Sequence, residues 1–203
     1  VADTAVVVLA AGVSSRMAPA NKLLTRDAGG WPLVARVAYA AARSGAGRVI
    51  VVTGHQADAV QAAVRAAVPW APLSFVRAPD YATGMAASLR EGVAAAWASQ
   101  AVVICLGDMP LVTFDVIENL FAANAVPGSP GIVVPTYRGR RGNPVLWARP
   151  YFDELATLSG DKGARALLRL HAADVAEIPV QNDGILRDFD TQDALAEMGW
   201  QAA

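Results

Sequence analysis

The sequence predicts an α/β fold: a mostly parallel sheet with helices on both faces, made mixed by a hairpin-like insertion in its second half. Three observations predict it. Runs of Val, Ile and Leu recur at Thr4–Leu9, Arg48–Gly54 and Ala101–Leu106, too continuous for strands with one wet face. Stretches of helical length, rich in alanine, lie between them. The 203 residues are 54% apolar and 17% charged, enough for one sizeable core and too few for two full domains.

Each element has its own signal. Thr4–Leu9 is β-branched and apolar, a strand buried on both faces. Leu33–Ser44 reads as a helix ended by Gly45 and Gly47. Arg48–Gly54 is the second strand, and Ala57–Ala67 a helix stopped before Pro69. Leu73–Val76 is a short strand, Met85–Trp97 a helix and Ala101–Leu106 a strand. Phe114–Ala125 is a helix, followed by the turn-rich Val126–Gly131. Ile132–Tyr137 and Pro144–Trp147 read as strands around Arg138–Asn143, which is the hairpin-like part. Ala164–His171 is a helix, Val175–Val180 a strand and Thr191–Met198 a closing helix.

Composition excludes several functions. A net charge of −1 gives no basic surface for nucleic acid. No apolar run approaches ~18 residues, which argues against a membrane span. The N-terminal run lacks a basic flank and continues into a loop, so it is a strand and not a signal peptide. Cys105 is the lone cysteine; it forms no intramolecular disulfide, fits a cytoplasmic protein, and reads as a small buried hydrophobe. The chain starts at Val1, as a single domain over 1–203 that was trimmed or cut from a longer protein would. No His/Cys cluster suggests zinc. His171 reads as structural, while His55 falls in a loop after the second strand.

The loop after the first strand carries the strongest chemical signal. Ala10, Ala11 and Gly12 let the backbone turn tightly, and successive N–H groups there can nest an anion. Ser14 and Ser15 add donors. Arg16 and Lys22 add a fork-like and a point-charge contact suited to phosphate. The alternative is a plain polar turn. There is no G-x-x-x-x-G-K-[ST] and no G-x-G-x-x-G. Asp108 follows the strand Ala101–Leu106. It therefore falls at the same sheet edge, placed to hold Mg²⁺ or, alternatively, to cap the next turn. Alternation puts Asp188 and Asp190 on one face with Phe189 on the other; Asp190 or Thr191 also reads as a helix cap.

Leu9-Ala10-Ala11-Gly12-x-Ser14-x-Arg16-Met17, with Lys22 after it, resembles the signature of the MobA/MocA-like nucleotidyltransferases. Ala18 stands where that family usually has Gly. Four further segments share the resemblance: Asp80-Tyr81-x-x-Gly84-Met85-x-x-Ser88-Leu89, Gly107-Asp108-Met109-Pro110, Gly139-Arg140-Arg141-Gly142-Asn143-Pro144 and Gly160-Asp161-Lys162-Gly163-Ala164-Arg165. The acidic segment Asp188–Asp193 resembles the family's second metal segment. The resemblance implies a Rossmann-like three-layer αβα domain that transfers a nucleotide from an NTP with Mg²⁺. It implies nucleotide contacts from Leu9, Ala10, Ala11, Gly12, Ser14, Ser15, Arg16, Lys22, Asp80, Gly84, Met85 and Ser88. Ala86 replaces a usual Ser there.

Metal would fall to Asp108 and Asp190, with Asp188 behind them, and catalysis to Arg16, Lys22 and Asp108. Acceptor binding would fall to Arg141, Gly142, Asn143, Pro144, Asp161, Lys162 and Arg165. The 139–144 segment also reads as an exposed hairpin tip, Asp161 as a helix cap, and Ser88 as part of a solvated helix face. Ala11 replaces a Gly of the GTP-using branch. Ala10 and Ala11 would each put a methyl where the backbone approaches the base, narrowing the pocket; this points to the MocA branch, in which CMP passes from CTP to molybdopterin. The implied partners are CTP or another NTP, molybdopterin, and a molybdoenzyme or its chaperone. A MobA-like guanylyltransferase and a sugar-phosphate nucleotidyltransferase are the alternatives within the class. A non-catalytic carrier of the molybdenum cofactor is the alternative outside it.

Overall fold

Strand β1 (Thr4–Ala10) is the axis of the sheet, and Ala5, Val6, Val7 and Val8 are wholly buried. The reason is its place: strands flank both its edges and helices cover both its faces. The computed structural model describes residues 3–13, 21–160, 163–189, 192–197 and 199–200. Strands β2 (Arg48–Thr53) and β4 (Ala101–Leu106) pair with β1 in parallel, with Val7 opposite Ile50 on one side and Ile104 on the other. Strand β3 (Leu73–Arg77) adds to β2 and forms an edge.

Beyond β4 the direction reverses. Strand β7 (Val145–Ala148) is antiparallel to β4 and to β5 (Ile132–Tyr137). Strand β8 (Val175–Pro179) runs parallel to β5 on its other edge. The expected hairpin is therefore present in a divided form. The immediate return strand is β6 (Arg140–Arg141), paired with Thr136 and Tyr137, while β7 pairs lower on the same edge of β5. A cis Asn143–Pro144 peptide separates the two.

The period of two along β1 sorts the core into halves. Val6, Val8 and Ala10 pack with α1 (Leu33–Arg43), α2 (Ala57–Ala67) and α4 (Phe114–Asn124). Ala5, Val7, Leu9 and Ala11 pack with α3 (Met85–Ala95), α5 (Phe152–Ala156) and α6 (Arg165–Leu170). In α1, Leu33, Val34, Val37, Ala38 and Ala41 are buried, the spacing of one helical face. Helix α7 (Gln192–Glu197) places Leu195 on the first half. Helix α5 has no counterpart among the expected elements. Five residues are too few for a periodic signal, and burial of Phe152 and Leu155 holds it in place. Among the described residues no helix is long and apolar enough to cross a membrane.

Candidate active site

The ends of β1 and β4 place two opposite charges together. Lys22 opens a short 3-10 turn (Lys22–Leu24), capped by Asn21, whose Oδ1 accepts from Leu23 N–H at 3.1 Å. Its Nζ donates to Asp108 Oδ2 at 2.7 Å. The two side chains are 13% and 20% exposed, buried enough to weaken screening by water and salt. Gly107 makes this approach possible. Its N–H donates to Leu9 C=O at 2.9 Å, and a Cβ there would sit 2.6 Å from that same oxygen. The alternative, a cap on the next turn, is not what the carboxylate does: among the described residues its side-chain hydrogen bond is to Lys22 Nζ.

The acidic C-terminal segment runs beside this pair. Phe189 N–H donates to Asp108 C=O at 3.2 Å. Phe189 is buried and Asp188 exposed, the alternation expected of them. Asp190 lies outside the described residues, as do Ser14, Ser15, Arg16, Asp161 and Lys162. Helix α6 begins after Ala164, whose side chain makes no cap hydrogen bond.

On the nucleotide side, Leu9, Ala10 and Ala11 are buried, while Gly12 faces open space. The two alanine methyls part company. Ala10 packs into the α1 half of the core, so its methyl does not narrow a base pocket; Ala11 packs into the α3 half. A Cβ on Gly54 would lie 2.8 Å from the Ala11 methyl and 2.6 Å from Tyr81 Cβ. Ala11, Gly54 and Tyr81 thus form one tight wall, to which the His55 ring adds at 6.4 Å from the Tyr81 ring. Asp80 is exposed, and its carbonyl accepts from Thr83 N–H. Gly84 caps α3 at φ 120°, Met85 is 41% exposed, and Ser88 is buried and off any solvated face.

On the acceptor side, the Arg141 guanidinium is taken up by an exposed ion pair with Glu177 on β8, at 2.7 Å. Gly142 and Asn143 meet the backbone of a remote turn. Asn143 N–H donates to Ile185 C=O at 2.9 Å, and a Cβ on Gly142 would stand 2.3 Å from that oxygen. Pro144 is buried.

Sequence reasoning missed what ties these parts together. Ala86 N–H donates to Gly160 C=O at 3.1 Å, and Arg90 donates to Leu158 C=O at 2.7 Å, so α3 holds the loop before α6. Partners so remote along the chain leave no local signal. A cleft of about 720 Å³ lies between them, bounded by Met85 and Leu89 of α3, Asn143, Trp147 of β7, and Arg165 of α6.

The donor chemistry suits a divalent cation. Asp108 offers hard carboxylate oxygens beyond a strand end, and the segment bearing Asp188 is hydrogen-bonded to its backbone. Among the described residues no three His, Cys, Asp or Glu side chains converge to hold a metal by themselves.

The mixed, mostly parallel eight-stranded sheet flanked by helices is the nucleotidyltransferase fold. The chain belongs to the MobA-like NTP transferase domain family, whose model matches residues 6–176. Among curated proteins it is similar to the bifunctional protein GlmU of Anaeromyxobacter sp. strain Fw109-5, with 36% identity over 121 residues, 60% of this chain and 25% of that one. The match thus spans about a quarter of that relative's length. Among solved structures, a homologue of Mycobacterium tuberculosis Rv0371c from Mycobacterium sp. strain JC1 is 30% identical, with a TM-score of 0.81 over 97% of this chain and 95% of that one. Rv0371c of M. tuberculosis H37Rv in complex with manganese is 27% identical, with a TM-score of 0.76 over 97% and 98%.

Proposed function

We propose that the protein transfers CMP from CTP to molybdopterin and releases pyrophosphate. The observation that carries the chemistry is the Lys22–Asp108 pair at the ends of β1 and β4. An acceptor phosphate oxygen attacks the α-phosphorus in line. The new P–O bond forms as the bond to the bridging oxygen breaks, and the electron pair leaves on pyrophosphate. Such a reaction asks the protein for position and charge neutralisation rather than covalent help. Lys22, with Arg16, neutralises charge on the triphosphate. Asp108, with Asp190 and then Asp188, holds a divalent ion; when bound, that ion neutralises charge on the reacting phosphoryl group. The manganese complex of Rv0371c supports this use of metal in a relative.

Two features support the choice of substrates. Ala11 stands where the GTP-using branch has Gly, and its methyl packs against the wall formed by Gly54 and Tyr81. The cleft beside Asn143 has an apolar floor on which a flat heterocycle can lie. A panel of NTPs incubated with molybdopterin and Mg²⁺, read by pyrophosphate release, tests the proposal. CTP should support release that depends on molybdopterin. A preference for GTP would assign the guanylyl reaction, and release with a sugar 1-phosphate would assign a sugar nucleotide. No release with any pair would leave a carrier.

A further inference from the structure

The cleft has an asymmetry that the transfer chemistry does not use. One end begins at Leu9 and Leu106, near the ends of β1 and β4 and close in sequence to Asp108, where the proposed transfer takes place. Its floor is apolar, made by Ile104, Val145 and Trp147 of the sheet and Leu89 of α3. The opposite wall is α6, which presents Arg165, Leu168 and Arg169 to the cleft. Residues four apart lie on one helical face, about 6 Å apart along the axis. Both arginines are exposed, and among the described residues neither guanidinium has a hydrogen bond, ion pair or aromatic partner. Several other arginines are engaged: Arg36 pairs with Asp27, Arg141 with Glu177, Arg90 with Leu158 C=O, and Arg149 stacks on Trp97.

Two unpaired guanidiniums over an apolar floor are a receptor for an anion attached to an apolar body. The forked donors read carboxylate, sulfonate or phosphate oxygens in pairs. The floor takes up the rest of the molecule, and the volume suits one ligand of ordinary cofactor size. The triphosphate cannot be that anion, because Lys22 and Asp108 fix it at the other end.

We propose that Arg169, with Arg165 one turn before it, binds an anionic group of the acceptor distinct from the one that attacks the nucleotide. The acceptor is then an amphipathic molecule: a reacting phosphate at the Asp108 end, a flat apolar body over Trp147, and a second anion against α6. This rests on the reading of the cleft as the acceptor site.

Calorimetric titration of the full chain with naphthalene-2-sulfonate, 2-naphthol and inorganic sulfate tests it. The sulfonate should bind about tenfold more tightly than either fragment. Arg169→Gln should remove about that tenfold, the scale of one charge-assisted contact, and should leave 2-naphthol and CTP binding unchanged. Arg169→Lys should restore part of it. No preference for the sulfonate in the wild type, unchanged sulfonate affinity in Arg169→Gln, or a loss of CTP affinity instead would each overturn the proposal. Molybdopterin separates this idea from the one beneath it. Transfer by Arg169→Gln with an unchanged KM for molybdopterin sinks the anion site and spares the reaction. Arg169-dependent sulfonate binding that molybdopterin does not displace sinks that acceptor and spares the anion site.

Discussion

Lys22 and Asp108 carry opposite charges and meet at 2.7 Å. Lys22→Ala removes a preorganised cation from the triphosphate and should lower kcat/KM by roughly 10²-fold or more, as loss of such a contact typically does. Unchanged steady-state kinetics would return the loop to a plain turn. Asp108→Asn keeps the shape and loses the charge. Its metal-dependent turnover should vanish while its circular dichroism and melting curve stay close to wild type; wild-type pyrophosphate release would remove it from the metal site. On the proposed reading, base choice also rests on a single residue. Of the two small residues ending β1, Ala11 is the one whose methyl faces Gly54 and Tyr81. Ala11→Gly should therefore raise GTP use relative to CTP, within the roughly 10–200-fold that one methylene-sized change is worth. Transfer rates at matched NTP concentrations check it, and a ratio that does not move leaves the cytidylyl assignment without steric support.

Elements were legible where burial was continuous. Strands β1, β2 and β4 sit between neighbours and under helices on both faces, so their sequences could be little but Val, Ile, Leu and Ala, and their limits were read to within about a residue. Helix α5 was invisible, since five residues carry no period. The turn after Lys22 was passed over for another reason: besides local backbone bonds, one side chain helps hold it. Asp27 Oδ1 accepts from the N–H groups of Gly29 and Trp31, both at 2.9 Å, and Arg36 of α1 bonds its Oδ2. Burial alone would raise the Asp27 pKa, but the Trp31 N–H and Arg36 more than offset it, so the group ionises below its ordinary 3.8. A lowered pKa stabilises the fold above the unfolded value and stops doing so as pH falls through the folded one. Asp27→Ala should cost about 1–3 kcal/mol by leaving donors unmet, and the deficit relative to wild type should shrink below pH 3.8. Urea unfolding at pH 7 and pH 3 measures both. In β4, burial pushes the Cys105 thiol from 9.0 up to about 12. The native protein should ignore a thiol reagent at pH 8 and react once unfolded. The thiol's contribution to stability is complete below pH 9.0 and is lost as pH rises toward about 12.

At the scale of the whole molecule, the site is an agreement among segments far apart in the chain. The kinds of residue were visible, because a loop of small residues with two cations after one buried strand, and an acid after another, can be read locally. The means of assembly were not, because they are backbone contacts that any sequence could make. The 182–189 segment shows this best. Its Ile185 carbonyl accepts from Asn143 N–H on the acceptor side, and its Phe189 N–H donates to Asp108 C=O on the metal side. It fits only because Gly142 has no side chain, since a Cβ there would meet the Ile185 oxygen at 2.3 Å. No rotamer can relieve a clash with backbone, so Gly142→Ala must push the segment away and carry Asp188 and Asp190 with it. Overpacking of this kind costs about 1–3 kcal/mol, which in a domain of this size lowers Tm by roughly 2–12 °C. If the segment supplies the second carboxylate, the affinity for Mn²⁺, read by electron paramagnetic resonance without turnover, should fall together with Tm. Asp190→Asn should reproduce the loss of Mn²⁺ affinity without the loss in Tm. A Gly142→Ala protein that melts early yet binds Mn²⁺ as well as wild type would separate the two, and would place the second metal ligand on some other part of the chain.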